Sequence, residues 1–212
     1  MLVICIILAA AAGYLLGSCS FAIIVTRLLY KTDIRKSGSG NAGMTNVLRT
    51  YGKGAAALTL IGDIGKGMVA VCIGRLIFTL LSANVNPIFG AYIAGIAAVL
   101  GHIYPLYFGF KGGKAVSVGG GVALAINPLL FPPLVVVFLV AFLCTKMVSV
   151  GSIAAAVSYP IITCIYFCIQ GHDVFFATLC SAVIAAIVIW MHRTNIERIK
   201  NGTEYKFMQK KK

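Results

Sequence analysis

The chain has 212 residues, 60% of them hydrophobic and 11% charged, and a formal net charge of +13. A soluble domain carries about 25% charged residues, so the composition excludes an ordinary water-soluble globule. Apolar runs near the ~20 residues that cross a bilayer as a helix point to an integral membrane protein. The ~10-residue alternating segments of an outer-membrane barrel are missing.

Taken in chain order, the apolar blocks fall at 2–27, 55–83, 88–106, 116–128, 129–145, 148–170 and 173–191. The first lacks a basic start and is too long for a signal-peptide core, so it reads as a retained span. The fourth is short and meets the fifth at Asn127-Pro128, where proline pushes the preceding residue out of the α region and marks a turn. The expectation is an all-α, polytopic membrane protein with about seven transmembrane helices, five or six of them full-length. It forms a single domain over 1–205, followed by a basic tail at 206–212. The seven cysteines all lie in apolar runs, with no CxxC or Cys/His spacing. Cys164 and Cys168, four apart, read as small hydrophobes, and no disulfide or metal site is expected.

Charge placement orients the chain. With seven crossings, residues 28–54, 107–115, 146–147 and 192–212 share one side and carry nearly all the lysine and arginine. The other side carries none. This asymmetry places the N-terminus outside and the C-terminus in the cytoplasm. The +13 charge is then a topology signal and an attraction to anionic headgroups, worth about 1 kcal/mol per basic residue near the surface, and nucleic acid is not implied.

Lys66 and Arg75 stand apart, because both lie within the second apolar block. Asp63 is three residues before Lys66, close enough to pair on a helix. Ionisable groups at membrane depth usually face protein or a wet cavity, and Gly62, Gly65 and Gly67 around the pair allow close backbone approach. Snorkelling or a pore-facing position would each serve for Arg75.

The cytoplasmic segments share a chemistry. The first, Ser37-Gly38-Ser39-Gly40-Asn41-Ala42-Gly43-Met44-Thr45-Asn46-Val47-Leu48-Arg49, combines glycines, hydroxyls, amides and an arginine. The second runs from Gly101-His102 to Lys111-Gly112-Gly113-Lys114, the third holds Lys146, Ser149 and Ser152, and the fourth runs from His192 through Asn195 to Glu204. Such segments suit phosphate. Glycines let backbone N–H groups turn inward, a helix starting after them adds its N-terminal dipole, and lysine and arginine neutralise the anion. Ser39, Thr45 and Asn46 are the expected neutral donors, and residues 41–49 open a short surface helix with Arg49 near its end. Asn195, three after His192, shares its helix face, and together they suit a polyol hydroxyl. His102 reads either as a ligand or as an interfacial residue.

Two alternatives fail on spacing. Lys111 to Lys114 is no Walker A loop, since Phe108 stands where its first glycine belongs and Ala115 follows the lysine. An HxxxxD acyltransferase motif is missing, with Tyr107, Ala177 and Glu197 five residues after the three histidines. Only five acidic residues occur, too few and scattered for a metal-dependent transferase or hydrolase. A metal-free, cofactor-free site for phosphate-bearing substrates is the inference.

The segments resemble the acyl-phosphate-dependent glycerol-3-phosphate acyltransferases of bacterial membranes, the PlsY family. Its motifs SGNxGxTNxxR, GHxxPxxxxFKGGK and HxxNIxRxxxGxE are matched at Ser39–Arg49, Gly101–Lys114 and His192–Glu204, with DxxKG at Asp63–Gly67 and VSxGS at Val148–Ser152. Met44, Ala115 and Val118 depart from the usual alanine, glycine and threonine, and Lys146-Met147 from an Arg-Tyr pair. The resemblance implies acyl transfer from acyl phosphate to the 1-hydroxyl of glycerol 3-phosphate in the bacterial inner membrane, with the site facing the cytoplasm and membrane lipid alongside.

Acyl phosphate is already activated, so direct attack without an acyl-enzyme is expected. Ser39, the backbone of Gly38, Gly40, Asn41 and Gly43, Lys111, Gly112, Gly113 and Lys114 would hold its headgroup. Arg49 with a lysine would hold the second phosphate, and His192, Asn195 and Ser149 or Ser152 the polyol. His102, Asp63 and Lys66 are expected among the residues that bind substrate or phosphate. His102, His192 or the departing phosphate could take the proton; the phosphate suits the task best. The rival reading is a transporter or exchanger of organic phosphates, but the internal repeats of such folds are not visible.

Overall fold

The computed structural model describes residues 1–82 and 84–207, and all regular elements among these are helical. Of the basic tail expected at 206–212, the lysines at 210, 211 and 212 lie outside the described residues. The chain divides into two compact units, Met1–Asn127 and Pro128–Lys212.

The first unit contains α1 (Leu2–Gly17), α2 (Phe21–Tyr30), α3 (Met44–Tyr51), α4 (Lys53–Leu81), α5 (Ile88–Ile103) and α6 (Val116–Ile126). α1 packs on α4 and α5, and α4 also holds α6. Lipid tails are as apolar as leucine, so membrane helices associate through close packing. Gly17 shows the requirement: a Cβ there would collide with the backbone of Ala98 on α5. The first apolar block is broken rather than continuous. α1 ends at Gly17 and α2 restarts at Phe21. In the break, the Ser18 hydroxyl donates to the Tyr14 carbonyl (2.8 Å) and accepts the Leu106 N–H (3.2 Å).

Three apolar residues of the first polar segment face inward. Ile34, Ala42 and Val47 are buried against Ala22, Ile23 and Val25 of α2 and Ala55 and Ala56 of α4. They seat the segment on the helices below it. The expected surface helix is α3, with Arg49 in its last turn. α6 stops at Ile126 and Asn127 is extended, so the Asn127-Pro128 turn is in place. Arg75 finds its partners in the protein. Its guanidinium donates to the carbonyls of Ala125 (3.4 Å) and Ile126 (3.1 Å), satisfying the C-terminal end of α6.

The second unit contains α7 (Phe131–Thr145), α8 (Val148–Gln170), α9 (Val174–Met191) and α10 (Arg193–Lys200). α8 packs between α7 and α9. α7 ends at Lys146 in the left-handed region. The Lys146 carbonyl accepts the Phe207 N–H (2.8 Å), and the Phe207 ring meets Phe142 edge-on, fastening the segment after α10 to the end of α7.

Among the described residues, six helical stretches are long and apolar enough to cross a membrane, against the about seven expected. α6 is the exception. Its 11 residues reach ~16 Å at 1.5 Å per residue, about half of a ~30 Å hydrocarbon layer.

Arg75→Met uncaps the last carbonyls of α6. The two bonds are long, so the expected loss is about 1 kcal/mol, seen as a lower thermal midpoint in detergent with the helix content unchanged at low temperature.

Candidate functional site

In the first unit, two glycine loops lie against each other. Arg35 is the tie. Its guanidinium donates to the carbonyls of Phe108 (2.6 Å) and Lys111 (3.1 Å) in the second loop and to Asp33 Oδ1 and Oδ2 (3.0 and 2.8 Å). Arg27 adds a bond to Asp33 Oδ2 (2.8 Å). The Arg35 guanidinium, with help from Arg27, holds the Asp33 carboxyl well below the usual carboxylate range despite partial burial.

Asn46 fixes the first loop from within. It is buried; its amide nitrogen faces the carbonyls of Ile34 (3.3 Å), Ser37 (2.9 Å) and Asn41 (3.1 Å), and its Oδ1 accepts the Ser39 N–H (2.9 Å). The sequence suggests Asn46 as a donor to substrate; the structure commits it to the loop. The backbone departs from expectation in the same way. Gly40 N–H donates to Ser37, Gly43 to Asn41, Gly112 to Ile103 and Gly113 to His102, at 3.0–3.1 Å. These amides, with that of Ser39, do not form the inward-turned cradle, because the loops use them to hold their own shape.

What the glycines supply is closeness. A Cβ on Gly113 would strike His102 Nε2 and the Ala42 carbonyl, and one on Gly112 would strike the His102 carbonyl. Gly38 and Gly40 take positive φ, with Gly38 against the Asn46 side chain. Ser39, Arg49 and Lys111 are exposed, while Asn41, Thr45 and Lys114 are partly buried. Lys114 directly precedes Ala115, which has φ 59° and opens α6. This is where the sequence departs from a glycine.

Asp63 and Lys66 pair at 2.9 Å, as their spacing predicts, but they do not face open surface. Lys66 Nζ also reaches the Cys19 carbonyl (2.8 Å) and His102 Nδ1 (2.9 Å), and all three side chains are buried. Direct substrate contact by Asp63 or Lys66 therefore gives way to a role beneath the loops.

In the second unit, side chains gather on Glu204. Its Oε1 accepts from Ser149 Oγ (2.8 Å) and Asn195 Nδ2 (2.7 Å), and its Oε2 accepts from Arg198 Nε (2.7 Å). Burial pushes this carboxyl up, but bonds from Arg198, Asn195 and Ser149 outweigh it and hold the group below its ordinary value. His192 is buried, and its Nδ1 donates to the Val188 carbonyl (2.7 Å), so the neutral ring carries its lone pair on Nε2. Ser152 is buried and bonds back to Val148 (2.9 Å). Among the described residues, no three His, Cys, Asp or Glu side chains gather where a metal ion could sit.

The family model for glycerol-3-phosphate acyltransferase matches residues 7–202. A glycerol-3-phosphate acyltransferase of Clostridioides difficile is 40% identical over 97% of both chains. One of Exiguobacterium sibiricum is 44% identical over 92% of this chain and 89% of that one. The crystal structure of PlsY (YgiH), an integral membrane glycerol 3-phosphate acyltransferase, in its glycerol 3-phosphate form superposes with a TM-score of 0.82 at 34% identity, over 95% of both chains. Its lysophosphatidic acid form gives 0.80 at 33% identity, also over 95% of both chains. The chain belongs to the glycerol-3-phosphate acyltransferase family.

It is thus an integral-membrane acyltransferase of the PlsY family, serving phospholipid synthesis. In this glycerol-3-phosphate acyltransferase two organising residues leave little trace in the sequence. Arg35 reads as one topology charge among several, and its signal is the lone carboxylate, Asp33, two residues before it. Glu204 closes the third motif, yet counts there only as a scattered carboxylate. Its fixed place after His192 and Asn195 is the cue.

Gly113→Ala should displace the second loop and lower acyltransferase activity by about 10²-fold, the cost of roughly 1 Å of misplacement. Gly65→Ala, whose Cβ would enter open space, should keep near-wild-type turnover in the same assay.

Glu204 predicts a pH dependence. Its folded value lies below the ordinary 4.5, so the ionised group stabilises fully above about pH 4.5 and loses this as pH falls through the folded value. The gap in thermal midpoint between wild type and Glu204→Gln should be widest near neutrality and narrow on acidification below pH 4.5.

Proposed function

We propose that the chain transfers a fatty acyl group from acyl phosphate to the 1-hydroxyl of glycerol 3-phosphate, giving lysophosphatidic acid and inorganic phosphate. The hydroxyl oxygen attacks the acyl carbon, an ester bond forms, and the acyl–phosphate bond breaks. The hydroxyl proton leaves with the departing phosphate, so no acyl-enzyme forms. The observation that carries this reading is the interlock of two basic glycine loops in the first unit through Arg35 and Gly113, in a chain of this family. Its structural neighbour PlsY is described in forms with glycerol 3-phosphate and with lysophosphatidic acid.

Within this reading, Ser39, Lys111 and Lys114 hold the acyl-phosphate headgroup, and Arg49 with a lysine holds the glycerol phosphate. His192 and Asn195 orient the polyol, supported by Ser149, Ser152 and Glu204. Positioning and charge stabilisation supply most of the rate. The orientation follows the charges. If α6 completes a seventh crossing despite its length, lysine and arginine stay on one side. If it does not, Lys146 and the cations after His192 change sides, against the positive-inside rule. The N-terminus then lies outside, and the loops face the cytoplasm of a bacterial inner membrane.

The test is purified protein in detergent with acyl phosphate and labelled glycerol 3-phosphate, scored for lysophosphatidate. Wild type should form it, and Arg49→Ala should fall at least about 10²-fold, as for loss of a transition-state anion contact. An organic-phosphate transporter would form none.

A further inference from the structure

We infer that His102 is held as the neutral tautomer with its proton on Nε2, so that it braces the two glycine loops and takes no proton from substrate. The assignment starts at Lys66. A lysine ammonium has three donors and no acceptor. Lys66 Nζ is hydrogen-bonded to the Cys19 carbonyl at 2.8 Å and to His102 Nδ1 at 2.9 Å, and it ion-pairs with Asp63 Oδ1 at 2.9 Å. An amine is intrinsically far more basic than an imidazole, so the single proton contested between the two belongs to Lys66. His102 Nδ1 is then the acceptor. Asp63 Oδ1 lies farther off, 3.6 Å from Nδ1, beyond hydrogen-bond reach.

The remaining ring proton must sit on Nε2. That edge faces the loops: Nε2 and the Ala42 carbonyl crowd the same side of Gly113. The His102 carbonyl in turn accepts the Gly113 N–H at 3.1 Å, so the residue grips the second loop from backbone and ring together. It is 3% exposed, and Gly113 stands across its ring edge. His102 is thus a positioning residue. Asp63 and Lys66 on α4 and Cys19 at the break between α1 and α2 hold it from below. Its consequence for catalysis rests on the reading of the loops as the phosphate-binding element; the tautomer does not.

The experiment is ring-nitrogen NMR of the full chain labelled with 15N-histidine in detergent micelles, with the His102 signals assigned by their loss in His102→Gln. Wild type should show one protonated nitrogen, Nε2, at neutral pH, and Lys66→Met should lose that fixed preference. A proton on Nδ1, or on both nitrogens, overturns the proposal on the wild-type spectrum alone, whether or not Lys66→Met folds. In turnover, His102→Gln should keep the acidic limb of the pH–rate profile; disappearance of that limb would make His102 the base and overturn the proposal. Should the chain prove unable to make lysophosphatidate while Nε2 is protonated, the functional reading fails and the tautomer stands.

Discussion

A charged lysine inside a membrane-spanning helix must find polar partners, and the first unit is arranged around that demand. Lys66 meets one on its own helix, one on α5 and one at the break in the first span. The break is what makes the last available. In a continuous helix the Cys19 carbonyl would accept the Ile23 N–H; here the N–H groups of Ile23 and Ile24 both turn to Ser20. The freed carbonyl would be costly in hydrocarbon without a donor, and Lys66 supplies it. The same break positions Ser18 to take the Leu106 N–H at the start of the second polar loop. One buried charge therefore sets the geometry of three helices and the mouth of a loop.

The loops above inherit that rigidity by short steps. Ile34, Ala42 and Val47 seat the first loop in apolar contact with α2 and α4, and Asn46 gathers its turns from inside. Arg35 reaches across to the second loop. Each of these groups would be expensive to bury unpaired, so the network holds one arrangement. The glycine loops spend their own amides on this: those of Ser39, Gly40, Gly43, Gly112 and Gly113 are engaged within the loops.

What could be read from the sequence was local. The Asp63–Lys66 pair follows from i,i+3 spacing, the stop at Asn127 from the proline after it, and α3 from its start behind a glycine run. What could not be read was long-range or had no periodic trace. Lys66 meets His102 and Cys19 from 36 and 47 residues away, and Arg35 meets Phe108 across 73. The break at Ser18–Ser20 hides because serine and cysteine are tolerated inside membrane helices, so hydropathy runs on unbroken. Arg75 was illegible for a related reason. Its partners are backbone carbonyls at the end of α6, and no side-chain pattern announces them.

The scarcity of carboxylates takes on a different meaning in this light. Counted as metal ligands, five acidic residues look like an absence. Their surroundings give three of them another use. Asp33 collects Arg27 and Arg35, Asp63 collects Lys66, and Glu204 collects Arg198, Asn195 and Ser149. Each is a fixed acceptor that orients cations and amides within its own unit. A chain with 18 basic residues can give a few of them to such fixtures and keep a large positive excess. Further acids beside these three would begin to cancel the positive field which that excess creates. Few carboxylates, each placed as an organising point, give orientation while leaving that field strong.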